Sequence, residues 1–189
     1  MDILKRMVLA VELVRRRERR VTEALELAGI PYALSGGNAV ALWVRRADAG
    51  AERFTQDVDI LLRRVDLHRA SAALRPAGFV DRETGGVTVF LDGPNGGLRE
   101  SVKVVMAGEK VREIDIEVAP DVEDVEVMEE KRVLRIESLA RWLLVRFKVE
   151  DRVLVRDMLE IGLIDGSWKG RFVPELAARL QELIDTPEG

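Results

Sequence analysis

Between residues 32 and 62 the apolar pattern changes period twice, and that change restricts the chain to a fold in which helices cover a sheet. Tyr32-Ala33-Leu34-Ser35 is a short β-like run that meets Gly36-Gly37. Ala39-Val40-Ala41-Leu42-Trp43 follows as a helical segment, with Asn38 in position to cap it. From Gln56 to Leu62 the pattern alternates: Val58, Ile60 and Leu62 share one face, and Asp57, Asp59 and Leu61 the other. A strand, a glycine turn, a helix and a second strand bury their apolar residues together in an α/β (α+β) core.

The flanking segments extend this core. Residues 2–28 carry apolar side chains near a 3.6-residue period, and Gly29 and Pro31 stop the helix they predict. A helix is expected over 66–76, then strands at Phe79–Arg82, Val87–Leu91 and Val102–Met106, with an evident turn at Gly93-Pro94-Asn95-Gly96-Gly97. Arg112 to Val118 alternates again, setting Glu113, Asp115 and Glu117 opposite Ile114, Ile116 and Val118, and reads as a further strand. Acidic residues 121–130 read as a connection. Two helical segments over 136–164, meeting near Glu150-Asp151, and a last helix over 174–184 close the chain. This divides it into a core over 1–135 and a helical part over 136–189 packed on it, without internal repeats.

Composition narrows the chemistry. The 189 residues are 47% hydrophobic, ample for a core, and 30 basic against 34 acidic residues give a net charge of −4, which argues against gripping nucleic acid by bulk electrostatics. There is no cysteine and one histidine, so disulfides, thiol catalysis and Cys-ligated zinc are excluded and a His-centred triad is disfavoured. No apolar run approaches the ~18 residues of a membrane span, and arginines follow the short N-terminal apolar stretch where a leader would carry its cleavage site. A cytoplasmic protein is expected, with chemistry resting on carboxylates, hydroxyls, lysine and arginine.

Three features converge on such chemistry: Ser35-Gly36-Gly37 at a strand-to-helix turn, Asp57 and Asp59 on the next strand, and Asp115 further on. Two aspartates at i and i+2 of a strand share a face with Cα atoms about 7 Å apart, so both reach one pair of divalent ions. Mutual repulsion in an acidic trio is relieved by a bound cation, Mg²⁺ or Mn²⁺. Such ions activate an attacking hydroxyl and steady a leaving phosphate. The glycines let the backbone approach a phosphate, and the helix that follows offers free N–H groups.

Leu34-Ser35-Gly36-Gly37 followed by Thr55-Gln56-Asp57-Val58-Asp59-Ile60 resembles the signature of the polymerase-β type nucleotidyltransferase superfamily. Within it, Leu144-Val145-Arg146-Phe147-Lys148 and the Arg156-Asp157 pattern that continues to Asp165 are similar to the abortive-infection toxin type. The resemblance covers roughly residues 32–63 and 111–165. It implies a mixed sheet flanked by helices and transfer of a nucleoside monophosphate from an NTP to a hydroxyl of RNA, such as a tRNA end, or of a protein. It implies that Ser35, Gly36, Gly37 and Thr55 hold the nucleotide, and that Asp57, Asp59 and Asp115 hold the metal. Lys148 would contact phosphates, and Asp157 would anchor that lysine or touch the nucleotide. Glu117 is the reserve for the third carboxylate. The stretch between Gly37 and Asp57 is longer than the family's usual one, so the loop over 46–54 reads as an insertion. A toxin of this type implies an antitoxin partner. The alternatives are a non-catalytic nucleotide- or partner-binding relative and an aminoglycoside-type adenylyltransferase, whose cationic acceptor would suit the acidic row of Glu113, Asp115 and Glu117.

Other conspicuous residues have plainer readings. Arg15-Arg16-Arg17-Glu18-Arg19-Arg20 wraps more than one helical turn and reads as a solvated helix, not as one basic face. His68, Trp142 and Trp168 fit surface and core roles, while Arg146, inside an apolar pattern, is a candidate lining of the nucleotide cleft.

Overall fold

The computed structural model describes residues 3–48, 50 and 55–187. In chain order the main elements are α1 (Ile3–Leu27), β1 (Ala33–Ser35), α2 (Gly36–Ala47), β2 (Val58–Leu62), α3 (Leu67–Leu74), β3 (Phe79–Thr84), β4 (Val87–Asp92), β5 (Ser101–Met106), β6 (Val125–Met128), β7 (Lys131–Leu134), α4 (Ile136–Arg146), α5 (Val149–Glu160) and α6 (Pro174–Asp185). The strands form one mixed sheet in the order β3-β4-β5-β2-β1-β7-β6. β2 lies at its centre, antiparallel to β1 and parallel to β5.

Central strands are covered on both faces. Val58, Ile60, Leu61 and Leu62 of β2 have no exposed surface, which contributes roughly 1.5–3 kcal/mol for each large side chain before the entropy of ordering it. The same buried cluster takes in Leu139, Leu143 and Leu144 of α4, Val155 and Met158 of α5 and Leu176 and Leu180 of α6. The C-terminal helices thus share the sheet's core. α2 packs on β2, α4 and α5, and its Trp43 indole N–H donates to the Leu134 carbonyl at 3.0 Å, tying it to β7.

The arginine run of α1 is more than a solvated face. Arg15, Arg16 and Arg19 are exposed, whereas Arg17 is buried. Arg17 and Arg20 both donate to Asp92, at 3.3 and 2.8 Å, and Arg20 also donates to the Ala77 carbonyl at 2.7 Å. Spacing of i and i+3 puts these two on one stripe of the helix, which fastens α1 to the end of β4.

Four local expectations are corrected. α2 begins at Gly36 with Ser35 as its N-cap residue, so the glycines occupy the first helical turn; Asn38 instead donates to Glu18 at 2.8 Å. Residues 112–118 form no strand. There the Asp115 carboxylate accepts from the Arg112 backbone N–H and Nε, at 2.9 and 2.8 Å, and a side chain that bonds local backbone competes with a ladder. Ile114 is left 82% exposed while Asp115 is buried. The acidic stretch contains the β6–β7 hairpin, whose turn residues Glu129 and Glu130 take φ of 49° and 62°; the usual signal for such a turn, Asn-Gly, is missing. Finally, α4 ends at Arg146, capped by Phe147 with φ of 48°, before the expected junction at 150–151, because Asp151 accepts from the Lys148 N–H at 3.2 Å at the start of α5. Of the loop expected over 46–54, α2 takes 46–47, and 49 and 51–54 lie outside the described residues.

Candidate active site

β1 and β2 pair so that Ser35 stands opposite Asp59, which brings the start of α2 onto the carboxylates. Gly36 has φ of +57°, and a Cβ built on it would lie 2.2 Å from Asp59 Oδ2. A Cβ on Gly37 would lie 2.9 Å from the Thr55 Cβ. Only glycine permits both contacts. The first turn of the twelve-residue helix α2 therefore packs directly against the side chains of Asp59 and Thr55, and a helix N-terminus favours negative charge.

Three oxygens here lack hydrogen-bond partners among the described residues: Ser35 Oγ, on a residue with no exposed surface, Asn38 Oδ1 and Asp57 Oδ1. Such groups cost free energy unless a ligand or ion satisfies them. The other Asp57 oxygen, Oδ2, lies 2.5 Å from Lys103 Nζ. Lys103 belongs to β5 and is registered with Asp59 across the parallel β2–β5 pair. Burial raises the Asp59 pKa above the ordinary carboxylate range; Arg146 and Lys103 oppose that rise, and Asp57 and Asp151 add to it.

Arg146 comes from the end of α4. Its guanidinium donates to both oxygens of Asp151, at 3.1 and 2.6 Å, and Asp151 is buried. Arg146 and Asp59 act on each other electrostatically, so the end of α4 sets a positive charge near Asp59. Lys148 stands exposed at the start of α5, and Asp157 is buried further along that helix.

Asp115 does not join Asp57 and Asp59: among the described residues no three acidic or histidine side chains gather where they could hold a metal ion. Its carboxylate is closed off by Arg112 at 2.6 Å. The reserve candidate Glu117 faces Arg141 at 3.8 Å. The expected trio is thus reduced to a pair with a lysine beside it. One cation suits Asp57 and Asp59, given the unpartnered Asp57 Oδ1; a third carboxylate to share a second ion is missing among the described residues. Lys103 is the residue sequence reasoning missed. Its alternation with Val102 and Val104 shows a strand but not which strand lies beside it.

A pocket of about 420 Å³ adjoins this point through Thr55 and Asn38, and Arg15, Arg19, Arg45 and Lys131 line it together with Glu18 and Glu129. No helix among the described residues is long and apolar enough to cross a membrane.

No family model and no curated relative matches the chain. Solved structures do. A protein of H. pylori described as a candidate nucleotidyltransferase is 18% identical, with a TM-score of 0.51 over 95% of this chain and 78% of its own. JHP933 from Helicobacter pylori is 18% identical, with a TM-score of 0.52 over 96% and 76%. The antibiotic-resistance factor ANT(2'')-Ia is 12% identical, with a TM-score of 0.52 over 94% and 92%. Identities this low speak for architecture alone, and the seven-stranded mixed sheet with its flanking helices is a nucleotidyltransferase-like fold.

Proposed function

We propose that the chain is a metal-dependent nucleotidyltransferase that moves a nucleoside monophosphate from an NTP to a hydroxyl. The observation that carries this reading is the convergence of the α2 N-terminus on Asp59, through a glycine that a Cβ would push into that carboxylate. Ser35, Gly36, Gly37 and Thr55 would receive the triphosphate, and Asp57 and Asp59 would hold Mg²⁺ or Mn²⁺. A bound ion lowers the pKa of the attacking hydroxyl and neutralises phosphate charge. The acceptor oxygen bonds to the α-phosphorus, the bond to the bridging oxygen breaks, and pyrophosphate leaves; the hydroxyl proton passes to solvent by way of the carboxylate pair. Arg146 adds positive charge at the cleft, and Lys148, exposed two residues on, would reach the phosphates once they are bound; Asp157 would steady the same helix.

An RNA or protein hydroxyl is the proposed acceptor, as the motif resemblance implies. The motif resemblance implies a toxin role with an antitoxin partner, and a cytoplasmic location is proposed with it. A small-molecule acceptor of the aminoglycoside kind is the second reading, favoured by the fold likeness to ANT(2'')-Ia. A third, a non-catalytic nucleotide binder, is favoured by the lack of a third carboxylate beside the pair among the described residues. Incubation with each labelled NTP and Mg²⁺, against total RNA, total protein and an aminoglycoside, separates them. Label on RNA or protein is the expected result, label on the aminoglycoside selects the second reading, and NTP binding without transfer to any acceptor selects the third.

A further inference from the structure

The strand next to the carboxylate pair carries a cation of its own. β5 runs parallel to β2 with Lys103 opposite Asp59, and the two-residue period of strands puts Lys103 on the face that Asp57 and Asp59 share. Its Nζ is 2.5 Å from Asp57 Oδ2, while Asp57 Oδ1 is left buried and without a hydrogen-bond partner among the described residues. The other cation nearby, Arg146, is committed to Asp151 through two hydrogen bonds. A pair of divalent ions brings four positive charges together, which the protein's carboxylates and the substrate's phosphates balance between them. Here two carboxylates face an ammonium that already neutralises one of them.

Resting on the nucleotidyltransferase reading, we propose that Lys103 stands in for one of two cations: the centre takes a single divalent ion at Asp57 and Asp59, with the Lys103 ammonium as its second positive charge. The lysine then competes with the ion for Asp57. Replacing it with a neutral side chain frees Oδ2 and removes a like charge from the ion's surroundings, which strengthens binding by about tenfold or more. Replacing it with a carboxylate adds a third acid beside the pair and admits a second ion.

The test is a Mn²⁺ titration followed by electron paramagnetic resonance on the full chain, with and without a non-hydrolysable NTP analogue, for wild type, Lys103→Met and Lys103→Asp. Thermal melts confirm that each variant is folded; Lys103 is a partly exposed side chain, and the methionine variant keeps the comparison if the aspartate one does not fold. One ion per chain in the wild-type nucleotide complex, two in Lys103→Asp, and tighter nucleotide-free binding in Lys103→Met support the proposal. Two ions in the wild type, or unchanged affinity in Lys103→Met, overturn the role of Lys103 and leave the nucleotidyltransferase reading standing. Absence of both Mn²⁺ and nucleotide binding in all three proteins overturns that reading and this proposal with it.

Discussion

Substituting Gly36 with alanine isolates the contact on which the site is built. Two costs arise and can be separated. A residue other than glycine at φ of +57° costs about 1–2 kcal/mol. The added methyl would sit 2.2 Å from Asp59 Oδ2, so the carboxylate or α2 must move by about 1 Å, an overpacking that costs roughly 1–3 kcal/mol more. Gly29 is the internal control, having φ of +60° with nothing within 4 Å of a Cβ placed on it; Gly29→Ala carries the first cost alone. Denaturant unfolding of both variants should therefore show about 1–2 kcal/mol lost for Gly29→Ala and about 2–5 for Gly36→Ala. In an Asp59→Ala background, which removes the clashing oxygen, the Gly36→Ala cost should fall to that of Gly29→Ala, giving a coupling energy on the order of 1–3 kcal/mol. Equal costs for the two single variants, or zero coupling, would refute the packing of Gly36 against Asp59.

Further outcomes follow from the same geometry. Asp59 holds its proton more tightly folded than unfolded, so without metal its contribution is least costly below the ordinary carboxylate range and stability declines as pH rises above it; Asp59→Asn should flatten that decline in melts recorded across pH, and a steeper decline would contradict it. Arg146→Ala leaves the buried Asp151 unpaired and should cost about 3–5 kcal/mol in denaturant unfolding, whereas a loss below about 1 kcal/mol would place the pair in a solvated setting. Asp115→Asn should disturb its turn by about 1–3 kcal/mol while Mn²⁺ affinity stays within about twofold, a tenfold loss being the contrary result. Lys148→Ala should change stability by less than about 0.5 kcal/mol and weaken NTP binding by roughly ten- to hundredfold, the effect of one charge-assisted hydrogen bond; calorimetric NTP affinity equal to the parent's would remove it from the site.

What is legible in the sequence is what local chemistry dictates. The parity of Asp57 and Asp59 along a strand follows from pleat geometry alone, and Gly36-Gly37 before a helical run marks a close approach whatever lies opposite. Asp115 misleads because alternation over 112–118 resembles a strand, yet its own carboxylate bonds to Arg112 and folds the segment into a turn. Lys103 is invisible for the opposite reason: its strand is evident, but its place beside Asp57, 46 positions earlier, is a non-local pairing that no local pattern announces. The β6–β7 hairpin escapes notice because two glutamates hold its left-handed turn, where glycine or asparagine would have signalled it.

Position-specific labelling of the NTP decides whether nucleotidyl transfer takes place at the Asp57–Asp59 pair. With Mg²⁺ and acceptor present, label at the α-phosphorus should become covalently attached to the acceptor while label at the γ-phosphorus is released as pyrophosphate, and both events should cease in Asp57→Asn/Asp59→Asn. Attachment of the γ label, or α-label transfer that persists in the double variant, would rule out nucleotidyl transfer by these two carboxylates.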